Sequence, residues 1–133
     1  MNLAPISVVI NGATGKMGTE TVNAVCREQD MELIGAACRR ERGPTLAVPV
    51  GKEVPLSTNL DDLLQQTRPD VLVDFTNADT CMEAASVAAA HSINLVLGAS
   101  GLTDSHLQQL DALAKHKNVG IIFAPNFALG AVV

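Results

Sequence analysis

Tryptophan and tyrosine are absent from this chain, and its aromatic residues are Phe75, Phe123 and Phe127 alone. A core without large rings must be filled by Val, Leu, Ile and Ala, which suits small-residue helices packed on branched parallel strands. Cysteine is also scarce. Cys26, Cys38 and Cys81 are odd in number and lack metal-ligand spacing. That excludes a zinc-finger pattern, argues against a disulfide framework, and makes a reducing cytoplasm the expected compartment. Positive charge is in deficit, with a net charge of −5. Nucleic acid and anionic membranes are therefore poor candidates for the main partner. No apolar run approaches the length that spans a bilayer. Met1 to Pro5 carries no basic segment of a signal peptide.

What is present is a globular chain of 133 residues, 47% of them hydrophobic, which suits one domain. Ile6 to Asn11 is a β-branched run, hence a buried strand. Gly12 to Gly18 is a glycine-rich turn, and Lys16 to Gln29 reads as a helix with Met17, Val22, Val25 and Cys26 available to its inner face. Glu32 to Cys38 predicts a second strand. Arg39 to Pro55, with Gly43, Pro44, Pro49, Gly51 and Pro55, predicts a loop. Ser57, Thr58 or Asn59 caps a helix from Leu60 to Gln66 that Pro69 stops. Further strands are expected at Asp70 to Phe75, Asn94 to Leu97 and Val119 to Ala124, and further helices at Asn77 to His91 and Thr103 to His116. Such alternation predicts an α/β fold: a doubly wound, mostly parallel Rossmann-type sheet with helices on both faces.

The segment Gly12-Ala13-Thr14-Gly15-Lys16-Met17-Gly18 joins the first strand to the first helix. A pyrophosphate needs backbone N–H groups close by with no side chain in the way, and glycine permits both the turn and the approach. The helix start adds unpaired N–H groups and partial positive charge. The spacing is G-x-x-G-x-x-G, and a purely structural turn is the alternative. A Walker-type loop fits poorly, because Met17 stands where Ser or Thr would hold magnesium.

An acidic residue at the end of the second strand would normally bond the adenosine ribose. Here Cys38 stands there, followed by Arg39 and Arg40. Guanidiniums suit a 2′-phosphate, since Arg bonds phosphate oxygens in a fork. The expected cofactor is NADPH in preference to NADH. A solvated face for Arg39, Arg40 and Arg42 is the alternative.

Ligands collect at the carboxyl ends of parallel strands. Three such ends read Val73-Asp74-Phe75-Thr76, Leu97-Gly98-Ala99-Ser100-Gly101 and Phe123-Ala124-Pro125-Asn126-Phe127. Gly98 and Gly101 would let backbone approach a flat ring. The Asn126 amide offers both donors and an acceptor to a carboxamide such as that of nicotinamide. Asp74 holds a ribose or, preferably, caps the turn after it. His91, His106 and His116 all fall at helix ends and read as surface residues rather than bases. Cys26 and Cys81 read as small buried residues.

Taken together, Gly12-Ala-Thr-Gly-Lys-Met-Gly18, Val73-Asp-Phe-Thr76, Gly98-Ala-Ser-Gly101 and Ala124-Pro-Asn-Phe127 resemble the dihydrodipicolinate reductases in motif, order and spacing. The resemblance implies that Gly12, Ala13, Thr14, Gly15, Lys16 and Met17 meet the pyrophosphate and that Cys38 or Arg39 meets the ribose. It further implies that Gly98, Ala99 and Ser100, with Ala124 to Phe127, lie along the nicotinamide. Phe75 and Thr76 complete the cofactor set.

The family usually has Gly-Thr-Thr-Gly at 98–101, Ser at 128 and often an acid at 38, where this chain has Ala99-Ser100, Ala128 and Cys38. Its second domain carries a His-His-x-x-Lys signature and a Ser-Gly-Thr loop, neither of which is matched here. The expectation is a cofactor-binding half, residues 1–133, without the catalytic half. It would bind a nicotinamide dinucleotide but turn nothing over alone. The small dicarboxylate substrate and the homo-oligomeric assembly would belong to the full-length protein. A standalone nucleotide-sensing module is the alternative. A close at Gly130-Ala131-Val132-Val133 without a capping element speaks against it.

Overall fold

Seven strands and four helices alternate through residues 4–49 and 51–123, the part of the chain described by a computed structural model. In order they are β1 (Ile6–Asn11), α1 (Lys16–Arg27), β2 (Met31–Ala37), β3 (Thr45–Ala47), β4 (Glu53–Ser57) and α2 (Leu60–Thr67). β5 (Val71–Asp74), α3 (Ala78–Ala90), β6 (Asn94–Leu97), α4 (Asp104–Lys117) and β7 (Ile121–Phe123) follow. The sheet order is β3-β4-β2-β1-β5-β6-β7. Every pairing is parallel except β3 with β4. No described helix is long and apolar enough to cross a membrane.

Side chains alternate between the two faces of each strand. Val9, Leu72, Leu95 and Leu97 enter the core that Leu63, Ala84, Ala85 and Leu110 of α2, α3 and α4 complete. Val8, Ile10 and Leu33 face the other way, against Val22 and Val25 of α1. Helices thus lie on both faces, as expected, but unequally. The register Ile10–Val73–Val96–Ile122 crosses the α1 face as one row. Its exposure rises from 0% at Ile10, beneath α1, to 63% at Ile122.

One expectation fails here. The segment from Arg39 to Pro55 is not a loop throughout: it contains β3 and the start of β4. Its glycines and prolines obscured a short period-2 pattern in which Val54 and Leu56 are buried and their neighbours are not. Pro55 is tolerated because β4 changes partner beside it. Residues 53–55 pair with β3, and the ladder to β2 begins only at Leu56.

Local chemistry ends the helices. The Asn59 and Asn77 side chains accept from Asp62 N and Thr80 N at 3.0 and 2.9 Å, capping α2 and α3. Thr103 and His106 form a reciprocal capping box on α4. Arg68, at φ 47°, closes α2 one residue before Pro69. His91 caps the end of α3, and its Nε2 lies 2.7 Å from Asp61 on α2. The histidines therefore sit at helix ends, as read from the sequence.

Two outcomes follow from this packing. A Cβ placed on Gly18 would lie 1.9 Å from the Gly12 carbonyl oxygen, a backbone atom that cannot swing away. Gly18→Ala should therefore cost about 3 kcal/mol or more, at the upper end of overpacking effects, read as a lowered urea midpoint. Cys81 is fully buried. Burial, and then the Asp74 carboxylate, push its thiol up to about 12 from an ordinary 9.0. Folding favours the neutral thiol, so its contribution is complete below about pH 9 and drains away as pH rises towards about 12. Urea titrations across that window should show Cys81→Ala losing stability less steeply than the parent. Parallel curves would dismiss the linkage.

Candidate functional site

β1 is the point where the sheet changes direction. The chain leaves it for β2 on one side and returns, after β4, to β5 on the other. A crevice opens above such a switch point, at the carboxyl ends of the strands. The glycine turn stands in it. Gly12 takes φ +79°, and its N–H and that of Ala13 both donate to the Ala37 carbonyl, at 2.9 and 3.0 Å. Gly15 N–H donates back to the Gly12 carbonyl at 3.1 Å. Three of the turn's amides are thus spent holding its shape.

The next amides are not spent this way. Lys16, Met17 and Gly18 open α1, where N–H groups have no partner within the helix. Gly15, the N-cap, makes no side-chain cap bond, whereas α2, α3 and α4 are each capped by a side chain. The start of α1 therefore offers bare N–H groups and the positive end of the helix dipole.

The tip of β5 forms the opposite wall. Asp74 is fully buried. Its Oδ2 accepts from Asn11 Nδ2 at 2.8 Å, and its Oδ1 accepts from Thr76 N at 2.8 Å and Thr76 Oγ1 at 2.5 Å. Asp74 caps the turn after it, the preferred of the two sequence readings. Phe75 lies over Gly98: a Cβ at Gly98 would fall 2.4 Å from the Phe75 ring. A flat ring does lie against Gly98, and it is the chain's own Phe75. The chain has no side chain at 98 because Phe75 fills the volume.

Two grooves meet at Gly12, Arg39 and Thr76. One, of about 610 Å³, runs past Asn11 and Cys38 towards Thr58, Asp61, Thr80 and Glu83. The other, of about 400 Å³, holds Thr14, Gly15 and Phe75 facing Arg39, Arg40 and Arg42. Cys38 Sγ donates to the Arg40 carbonyl at 3.1 Å and so shapes the arginine turn. Burial pushes this thiol above its ordinary value, with the Arg42 charge pulling the other way.

The fold thus gathers Gly12, Thr14, Gly15, Cys38, Arg39, Arg40, Phe75 and Thr76 around one crevice. Ala13 is buried and Lys16 exposed, and Met17 is half-buried, its carbonyl accepting from Thr21 Oγ1. Ala99 is buried, and Ser100 is exposed on a bridge to Asn77. Neither Ala99 nor Ser100 lines the two grooves. Ala124, Pro125, Asn126 and Phe127 lie outside the described residues. Sequence reasoning missed Thr58, Asp61 and Glu83 as groove residues; they come from the bend after β4, from α2 and from α3 by tertiary packing and follow no glycine signal. Arg42 was visible as the third arginine of the run but was not separated from a solvated face. Among the described residues no cluster of acids, cysteines and histidines could hold a metal.

Comparison with known proteins follows the same lines. The family model for "Dihydrodipicolinate reductase, N-terminus" matches residues 6–127. A 4-hydroxy-tetrahydrodipicolinate reductase of Dehalococcoides mccartyi is 45% identical over 132 residues, covering 98% of this chain and 50% of that protein. The Methanocaldococcus jannaschii enzyme of the same name is 36% identical, covering 94% and 48%. The chain spans about half the length of these relatives. The solved dipicolinate-bound dihydrodipicolinate reductase from Paenisporosarcina sp. TG-14 superposes with a TM-score of 0.80 at 37% identity, over 96% of this chain and 49% of that one. The D-galactose-1-dehydrogenase of Rhizobium etli, at 20% identity and a TM-score of 0.74, shares the fold alone. With the family model matching nearly the whole described crevice, the chain belongs to the dihydrodipicolinate reductase family and corresponds to its N-terminal part.

Proposed function

We propose that this chain is the cofactor-binding half of an NADPH-preferring reductase that converts a dihydrodipicolinate-type substrate to tetrahydrodipicolinate, in diaminopimelate and lysine biosynthesis. The observation that carries the reading is the start of α1. It is the one described helix without a side-chain cap, and it opens on a groove faced by three arginines. That donor set suits a dinucleotide with an extra phosphate. The pyrophosphate would accept from the amides of Lys16, Met17 and Gly18, where the helix dipole also favours negative charge. Arg39 and Arg40 would grip the 2′-phosphate, with Arg42 beside them. Cys38 fits such a cofactor better than an acid would. A carboxylate there would repel the phosphate, whereas the thiol donates to the Arg40 carbonyl and holds the turn.

The adenosine would lie in the larger groove between Arg39 and the α2 and α3 side chains. Phe75, seated on Gly98, would form a fixed apolar wall beside the path to the nicotinamide. When bound, the cofactor supplies the hydride. The chain's own residues orient it and anchor its charges. No described cluster offers an acid placed for catalysis. We therefore place substrate binding and proton delivery in the remaining half of the family's length. The substrate would be a small dicarboxylate related to the dipicolinate named for the Paenisporosarcina protein. Three free cysteines accord with a reducing cytoplasm as the compartment.

Calorimetric titration with NADPH and NADH at matched ionic strength tests this. A charge-assisted hydrogen bond is worth about 1.5–3 kcal/mol, roughly tenfold to a hundredfold in affinity. An Arg39→Ala, Arg40→Ala double variant should lose NADPH affinity by about that factor, with NADH little changed. Unchanged NADPH affinity removes the arginines from the reading. Absence of binding by the parent chain removes the dinucleotide site itself.

A further inference from the structure

Beneath this crevice lies a carboxylate that lines neither groove. Asp74 has no exposed surface, and neither described ion pair, His91–Asp61 or Lys115–Asp111, involves it. Buried charges ordinarily need a cation or a full set of donors. Asp74 has the second. Three N–H or O–H groups converge on it: the Asn11 amide, the Thr76 backbone and the Thr76 hydroxyl. An amide in its place would keep one acceptor oxygen and turn an N–H towards the Asn11 amide, which would have to flip to accept it and so change the bond at the exit of β1.

The partners matter more than the count. Asn11 and Asp74 are register partners across β1 and β5, the two strands that part at the crevice. Asn11 is the last residue of β1, directly before Gly12. Thr76 is the residue that bears on Gly12 from the other side: its Cγ2 lies 3.0 Å from where a Gly12 Cβ would be. Fixing the Thr76 hydroxyl on Asp74 fixes the direction of that methyl group. The Asp74 carbonyl also accepts from Gly98 N–H at 2.8 Å, which ties in the tip of β6.

We propose that Asp74 is a positioning residue for the phosphate turn. Through Asn11 it sets the exit of β1, and through Thr76 it sets the wall against Gly12, so that the turn is held in its binding shape before any ligand arrives. The ligand part of this rests on the dinucleotide reading above; the preorganisation part does not. A bond that merely stabilised the sheet would act on the whole fold. A positioning bond acts on the turn.

The test is Asp74→Asn in this chain, with Thr76→Val as a second variant that keeps the branched shape and removes the hydroxyl. Amide hydrogen exchange is followed without ligand at Gly12 and Ala13, whose N–H groups donate to the Ala37 carbonyl of β2, and at Gly15, whose N–H donates to the Gly12 carbonyl. The amides of α4 serve as the internal reference, and NADPH affinity is titrated alongside. The expected result is exchange at the turn at least tenfold faster, α4 unchanged relative to the global unfolding limit, and NADPH bound at least tenfold more weakly. Thr76→Ser, which keeps the hydroxyl on Asp74 but removes the methyl group set against Gly12, should protect the turn better than Thr76→Val but less well than the parent.

Unchanged exchange at the turn in folded variants overturns the proposal. So does a uniform rise across turn and α4, which would assign Asp74 to general stability. Should Asp74→Asn not fold, the Thr76→Val and Thr76→Ser pair decides by the same criteria. If the turn loosens as expected but the parent chain binds no NADPH, the positioning role stands and the dinucleotide reading falls.

Discussion

The close approach of α1 to the end of β1 is the constraint on which the crevice depends. Gly18 lies so near the Gly12 carbonyl that no Cβ fits between them. Two pieces of backbone therefore meet where a side chain would normally hold them apart. The contact turns the first amides of α1 back over the strand end, at the point where the sheet reverses direction. The turn's other polar groups face inward, on the Ala37 and Gly12 carbonyls. What remains outward is a short run of N–H groups with no competing cap. A larger residue at 18 would lift the helix away and scatter that array.

Charge is handled locally rather than globally. The chain carries a net charge of −5, yet the groove beside the glycine turn is faced by Arg39, Arg40 and Arg42. Over distances beyond a Debye length, about 8–10 Å at ordinary salt, the acidic remainder of the surface matters little. Within the groove the guanidiniums dominate. The backbone after β2 presents them as a group because Cys38 is pinned twice, by its N–H to Ser57 and by its thiol to Arg40. β4 therefore supports the site although none of its residues lines the two grooves. By pairing with β2 it fixes where the arginine turn begins.

The two faces of the sheet are unequal for a topological reason. Crossovers between parallel strands are right-handed. The step from β1 to β2 runs one way along the sheet and carries α1 to one face. The steps into β5, β6 and β7 run the other way and carry α2, α3 and α4 to the opposite face. The α1 face is thus left progressively more open from Ile10 to Ile122. All the described groove residues at the strand tips lie clear of this open face, so the crevice is built without it.

The sequence by itself determined the alternation of strand and helix, the glycine turn, a cap for α2 among Ser57, Thr58 and Asn59, and the strand tips that carry Asp74 and Leu97. These are local properties, written in hydrophobic period, capping chemistry and glycine spacing over a few residues. The family resemblance was legible for the same reason, since its motifs are short runs at strand ends. Tertiary structure decided the rest. β3 and β4 were hidden because a three-residue strand beside prolines has little periodicity of its own, and its pairing is a contact with a distant segment. Phe75 filled the space above Gly98 only once β5 and β6 lay side by side. The meeting of Asn11 with Asp74, 63 residues apart, and the arrival of Asp61 and Glu83 beside Arg39 depend on the lateral order of the strands. That order follows from crossover handedness and core packing, which no short window of residues contains.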